Sequence, residues 1–305
     1  MEYFEILSPC LMDALPTLAS TIQLRGQSIH GIALLSKPLK GYLTFCDRIP
    51  AGEVNITCTQ TILVPHALEA DLARLFPSAT LVAVSDPRAL FIDTLEYLQK
   101  SNLLKLTSLM PGSPTIASDV RLGERVVIEP GVQIDAGVTI GSGTVVRGGT
   151  WLQSGVTVGE NSVIGTVGIN AYVGMDGKRR GFPHLAGVIV GQGASLGAAC
   201  VVVRGILTST QIGAGSIIGN MCNIGHGVEI DEDVWMSAGT VVGGHAKVGT
   251  KATIALGCTI RDNTSIGAGA NVGMGSVVTK DVRAGCSVFG NPAKRFLSIN
   301  AGPAR

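Results

Sequence analysis

From Ile116 onward an aliphatic side chain recurs at every sixth position: Leu122, Ile128, Ile134, Ile140, Val146, Leu152, Val158 and Ile164. The register breaks, returns at Val190, Leu196 and Val202, and takes a shortened step. It then runs as Ile206, Ile212, Ile218, Ile224, Ile230, Met236, Val242, Val248, Ile254, Ile260, Ile266, Val272 and Val278. Glycine often follows, as at Gly123, Gly141, Gly159, Gly213, Gly249 and Gly273, and four residues after many of the aliphatics stands a small one, such as Thr144, Ser162, Ser216, Cys222, Ala246, Cys258 or Ala270. A unit of this length makes one short strand and a corner: the aliphatic fills an interior, the small residue lets the chain bend, and the glycine tolerates angles that a Cβ disfavours. Stacked units pair their backbone groups with the coils above and below. The pattern predicts a parallel β-solenoid over residues 113–283.

The first 110 residues lack this period. Ile32-Ala-Leu-Leu-Ser, the stretch from Ile56 to Val64 and Thr80-Leu-Val-Ala-Val-Ser read as short strands. From Asp86 the apolar residues fall at helical spacing, with Asp86 placed as N-cap and Pro87 at the first helical position. A small α/β domain is expected over 1–110, with Met110-Pro-Gly-Ser-Pro-Thr as the linker. A short tail is expected over 284–305, with a final turn around Ala293-Lys-Arg-Phe.

Composition removes several function classes. The formal charge is +1 over 305 residues, so no polyanion-binding face or membrane-surface binder is indicated, and nucleic acid is not an expected partner. No apolar run approaches the roughly 20 residues of a membrane-spanning helix. Met1-Glu2-Tyr3-Phe4-Glu5 carries two acids before any apolar stretch, unlike a secretory signal. The seven cysteines are scattered without a CxxC pair, which suits a reducing, cytoplasmic setting and gives neither a disulfide framework nor a metal site. Cys200, Cys222 and Cys258 all fall on the small interior position and read as core filler.

The repeat is interrupted twice, over 165–187 and around Arg204-Gly-Ile-Leu-Thr-Ser-Thr. Solenoids concentrate function where their regularity fails. Phe182-Pro-His-Leu-Ala-Gly-Val-Ile-Val-Gly, Arg204-Gly-Ile-Leu-Thr-Ser-Thr-Gln-Ile-Gly and Asn220-Met-Cys-Asn-Ile-Gly-His-Gly-Val lie in and after these breaks. Together they resemble the three central motifs of the hexapeptide sugar N-acyltransferases, most closely those of the lipid A pathway that acylate UDP-3-O-acylglucosamine. The resemblance covers roughly residues 25–280, more loosely in the first domain. It implies a left-handed β-helix, a homotrimer with sites between chains, a nucleotide-linked amino sugar as acceptor and a place in lipopolysaccharide or O-antigen synthesis.

Transfer from a thioester to an amine needs a base for the amine proton and donors for an oxyanion. His226 matches the family's catalytic position, and Ile224 fixes the interior phase so that His226 points outward. An unperturbed imidazole near pKa 6.5 suits such a base. Gly244 lies one coil on if a coil has eighteen residues; the glycine so placed in the family donates its N–H to the oxyanion. His245 replaces the family's usual serine, His184 its usual glutamine, and Asn263 a motif histidine. Asn220 matches a substrate-side position, although the aspartate that usually precedes it is Gly219. Phe45 matches an aromatic that stacks on uracil, without its partner tyrosine. His30 and His66 read as surface histidines.

The ending, Gly275-Ser-Val-Val-Thr-Lys-Asp and Gly290-Asn-Pro-Ala-Lys-Arg-Phe, resembles that of CoA-dependent hexapeptide acetyltransferases. Lys280, Lys294 and Arg295 are the expected phosphate contacts. The sequence therefore points to a CoA-dependent N-acyltransferase acting by direct transfer with no bound cofactor. The alternatives are the lipid A enzyme with an acyl carrier protein donor, and a non-catalytic scaffold.

Overall fold

The computed structural model describes residues 4–6, 29–50, 54–106 and 113–295. Its contacts divide the chain into two compact units. One holds residues 1–108 together with 169–183; the other holds 109–168 and 184–305. Half of the expected linker, residues 110–112, and the tail from 296 lie outside the described residues.

The first unit is a six-stranded sheet with helices. Its strands are β1 (Phe4–Ile6), β2 (Gly31–Ile32), β3 (Tyr42–Phe45), β4 (Thr61–Pro65), β5 (Thr80–Val84) and β6 (Leu104–Leu106), in the order β5-β4-β3-β2-β1-β6. Helix α1 is Glu69–Leu75 and α2 is Pro87–Lys100. The Asp86 carboxylate accepts from the Ala89 N–H at 2.9 Å, so the expected cap and N1 proline are in place. Strand β3 and helix α1 have no counterpart in the sequence reading, and the expected strand from Ile32 stops after Ile32 itself. Phe91, Ile92, Leu95 and Leu98 of α2 are fully buried, as are Ile62, Leu63 and Val64 of β4.

Residues 169–183 were expected to be part of an interrupting loop. They form an antiparallel hairpin instead, Ala171–Val173 against Arg179–Gly181, and cluster with the first unit. Asp176-Gly177 makes its turn, with Gly177 at φ +74°, a dipeptide suited to tight hairpins.

The second unit is a three-faced parallel β-solenoid. Its faces are sheets of eight, ten and eight strands. Gln133–Ile134 pairs with Trp151–Leu152 on the first, Thr139–Ile140 with Thr157–Val158 on the second, and Val145–Val146 with Val163–Ile164 on the third. From Ile134 to Val278 the phase aliphatics are buried, as are Thr144, Ser162, Ser216 and Cys222 at the small position. Ile206 is also buried, but it lies in the irregular segment between strands and carries no ladder.

The glycines after the aliphatics have a different physical basis from the one expected. Gly141 has no positive φ; a Cβ there would stand 2.6 Å from the backbone nitrogen of Glu160 on the next coil. Close approach of coils requires it. The left-handed residue comes two positions later, as at Gly143 with φ +72°. The solenoid also extends past 283: Ser287–Phe289 adds in parallel to Asn271–Val272, and Lys294–Arg295 folds back antiparallel on it. The expected short tail thus begins as sheet, because Val288 continues the buried aliphatic column.

Candidate active site

The ends of the first break and the whole of the second belong to the solenoid unit, where they pack against each other. Leu185 N–H donates to Ile206 O, Gly187 N–H to the Ser209 hydroxyl at 3.1 Å, and Arg204 Nε to Ala186 O at 2.6 Å. Across them the register is held: Leu152 pairs with Val190, and Val190 with Ile212. The extra residues are therefore extruded at one edge, between the third face and the first. Thr210 ties that edge together, donating to Val203 O at 2.6 Å and accepting from Gly227 N–H at 2.9 Å.

His226 occupies this edge, two residues beyond the buried Ile224. Because Ile224 pairs with Val242 and Val242 with Ile260, the following coils place Gly244 and then Asp262 over it. The imidazole lies against Gly244: a Cβ at 244 would stand 2.5 Å from His226 Cε1 and 2.6 Å from Nε2. Glycine is needed there for the ring to sit where it does. The Gly244 N–H has no acceptor among the described residues, and His226 Nδ1 is buried without a hydrogen-bond partner.

Two further imidazoles complete the cluster. The His184 ring meets that of His226 edge to face at 5.3 Å, and the His245 ring does so at 4.8 Å. His184 is buried. His245 is exposed in this chain, although its ring rests over Gly227, where a Cβ would stand 2.5 Å from its Nδ1. Burial, reinforced by the neighbouring His245 and His184, pushes His226 down to about 4, against a weaker opposing pull from Asp262. Packing of its ring against Gly227 and the neighbouring imidazole partly desolvates His245 and lowers it too, although the residue as a whole is exposed. Glu229 and Asp262 act the other way. The sequence expectation of an ordinary imidazole value is therefore corrected: His226 is a neutral base throughout the physiological range. No group of three or more His, Cys, Asp or Glu among the described residues is arranged to hold a metal ion.

The structure brings together His226, Gly244, His184 and His245, and separates other expected residues from them. Asn220 lies on the edge between the second and third faces, where its side-chain oxygen accepts from Ala198 N–H at 2.9 Å. Lys280 stands on the His226 edge, three coils along, roughly 15 Å at about 4.8 Å per strand. Lys294 and Arg295 belong to the end of the second face. Asp262 was missed in the sequence, although the step that found Gly244, applied once more, reaches it.

In the first unit Phe45 packs against Phe91 (4.9 Å between centroids) and Phe182 (6.3 Å), with the Arg88 guanidinium over its ring at 5.6 Å. Arg88 also faces Tyr172 at 5.2 Å and pairs with Asp47 at 2.7 Å. His30 and His66 are exposed. No helix among the described residues is long and apolar enough to cross a membrane.

Residues 113–148 match the family model "Bacterial transferase hexapeptide (six repeats)". The chain is 40% identical over 133 residues to UDP-3-O-acylglucosamine N-acyltransferase of Maricaulis maris (strain MCS10), covering 44% of this chain and 38% of that one. It is 37% identical over 84 residues to the protein of the same name from Pseudoalteromonas translucida (strain TAC 125), covering 28% and 24%. The chain thus spans well under half the length of these curated relatives. Among solved structures, LpxA from Acinetobacter baumannii superposes with a TM-score of 0.55 at 24% identity, covering 62% of this chain and 71% of that one, a likeness of fold. The matched repeat and the superposed structure agree with the hexapeptide-repeat β-solenoid seen here, and the curated relatives that match are named as sugar N-acyltransferases.

Proposed function

We propose that this chain transfers an acyl group from a phosphopantetheine thioester to the amine of a UDP-linked, 3-O-acylated glucosamine. The observation that carries the chemistry is the neutral His226 imidazole packed against Gly244, whose backbone N–H is unpaired. The names of the relatives favour this acceptor over the simpler nucleotide sugar, and with it the lipid A reading over the CoA-dependent relative first expected.

In this reading the amine attacks the thioester carbonyl, forming the C–N bond. His226 takes the proton that the nitrogen loses, and the Gly244 N–H donates to the oxyanion. The C–S bond then breaks, and the thiolate leaves with the proton returned by His226. Direct transfer needs no covalent enzyme intermediate, only two substrates held in line. Donor identity has a second reading: Lys280 on the His226 edge offers a cation for the phosphate end of a pantetheine arm, which suits acyl-CoA as well as an acyl carrier protein. Lys294 and Arg295 would act only if the donor reached the second face.

We further read the active form as a cytoplasmic homotrimer. Ile217 and Trp235 are adjacent outward residues of the second face and are more than half exposed, as is Met221 beside Asn220. Such an apolar surface suits burial against a like chain. It would bring the Asn220 edge of one copy towards the His226 edge of another.

The test is His226→Ala assayed with UDP-3-O-acylglucosamine and, in turn, a 3-hydroxyacyl carrier protein and acyl-CoAs. Turnover is expected to fall about 10²- to 10⁴-fold with the trimer intact by sedimentation. Near-normal turnover of the variant overturns the reading, and the donor consumed by the wild type decides between the two donors.

A further inference from the structure

Resting on that function, we propose that His184 and His245 are positioning residues for His226. Their rings meet its imidazole edge to face, fix its orientation over Gly244, and keep a second positive charge out of the cluster. The geometry is specific: centroids at 5.3 and 4.8 Å, interplanar angles of 81° and 77°. The two residues reach the site by independent routes. His184 is delivered by the first break, through the backbone bond of Leu185 to Ile206. His245 sits at a corner position with φ +57°, which the preceding coil fills with Gly227 at φ +64°.

The charges around the cluster decide the sign. His226 faces His184, His245 and Asp262; His245 also faces Glu229, which is bonded to Lys247 at 3.0 Å. A proton on either neighbouring ring opposes one on His226, and Asp262 alone favours it. Removing a neighbouring ring therefore makes His226 easier to protonate.

The experiment is an NMR titration of the His226 ring in the substrate-free full-length protein, as wild type, His245→Asn and His184→Gln, alongside the pH profile of kcat/KM. Asparagine tolerates the left-handed corner, as Asn263 does at φ +55°, so His245→Asn is expected to fold. The His226 midpoint is expected to rise by about half a unit or more in each variant, with the acid limb of kcat/KM moving up in step. An unmoved midpoint in either variant overturns the proposal while leaving the assigned reaction standing. Full turnover of His226→Ala would instead remove the reaction itself.

Discussion

The hairpin of the first unit and the imidazole cluster of the second both hold strongly perturbed titratable groups, and they do opposite things with charge. Around the hairpin the perturbed charges, those of Asp86, Asp176 and Arg180, all have partners. Asp86 accepts from Ala89 N–H, Met175 N–H and the Tyr172 hydroxyl, while Arg180 reaches Asp176 through two nitrogens and Asp93 through a third. Burial pushes the Asp86 carboxyl up, but those bonds outweigh it and hold it below the ordinary value. The bond from Arg180 likewise keeps the Asp176 carboxyl well below the usual carboxylate range. In the cluster, charge is excluded: burial and mutual repulsion favour neutral rings, and His226 Nδ1 has no partner. Paired groups staple a fold, whereas an unpaired neutral base beside an unused N–H donor waits for substrate.

The sharpest way to break this contrast is Gly244→Ala. The added Cβ would meet the far end of a flexible side chain, His226 Cε1 at 2.5 Å, so the coil tolerates it by displacing the imidazole. Turnover is expected to fall by about 10²-fold or more, since misplacing a reacting group by an ångström suffices. The melting temperature is expected to stay close to the wild-type value. A variant with normal kcat would mean that the ring position over Gly244 is irrelevant to the chemistry.

On the hairpin side the expected effect is on stability. Asp86→Ala removes the α2 cap and the anchor for Tyr172 and Met175, and should cost about 2 kcal/mol in urea unfolding of the first unit. Asp86→Asn keeps an acceptor for the cap and should cost less. The pH dependence follows from the lowered carboxyl: its contribution is complete above the ordinary value of 3.8 and is lost as pH falls through the lower folded value. Wild type and Asp86→Ala should therefore converge in stability as the pH falls well below 3.8. A gap that persists undiminished there would show the side chain to act without its charge.

These regions were unequally legible. A period of six residues repeated over the solenoid fixes which side chains face inward, and one further step along the same register reaches Gly244 from His226. The hairpin was not read, because Ala171-Tyr-Val and Arg179-Arg-Gly are too short to show an apolar–polar alternation in sequence, and only Asp176-Gly177 marks the turn. His184 could be named as a loop residue, but not as a neighbour of His226, since that contact depends on Leu185 and Ala186 bonding back to the second break. Asp86, in contrast, was readable as a cap and unreadable as an anchor, because its hairpin partners lie more than eighty residues away.

The smallest expected effect separates burial from function. Cys200, Cys222 and Cys258 are fully buried in the solenoid core, and burial pushes all three thiols up, Cys222 to about 11. Their pKa values are perturbed, as that of His226 is. Each sulfur, however, donates to a backbone carbonyl, of Gly219 at 3.1 Å, Ser237 at 3.3 Å and Gly273 at 3.2 Å respectively. A protonated, hydrogen-bonded thiol on the inner side of a corner is neither nucleophile nor acid. Replacing each in turn by alanine, a residue this position already holds at Ala246 and Ala270, should cost about 1 kcal/mol or less and leave kcat/KM within twofold of wild type. A large loss of turnover from Cys222→Ala with unchanged stability would move the chemistry from the solenoid's outer edge to its core, and the contrast between paired and unpaired groups would fail as a guide to this site.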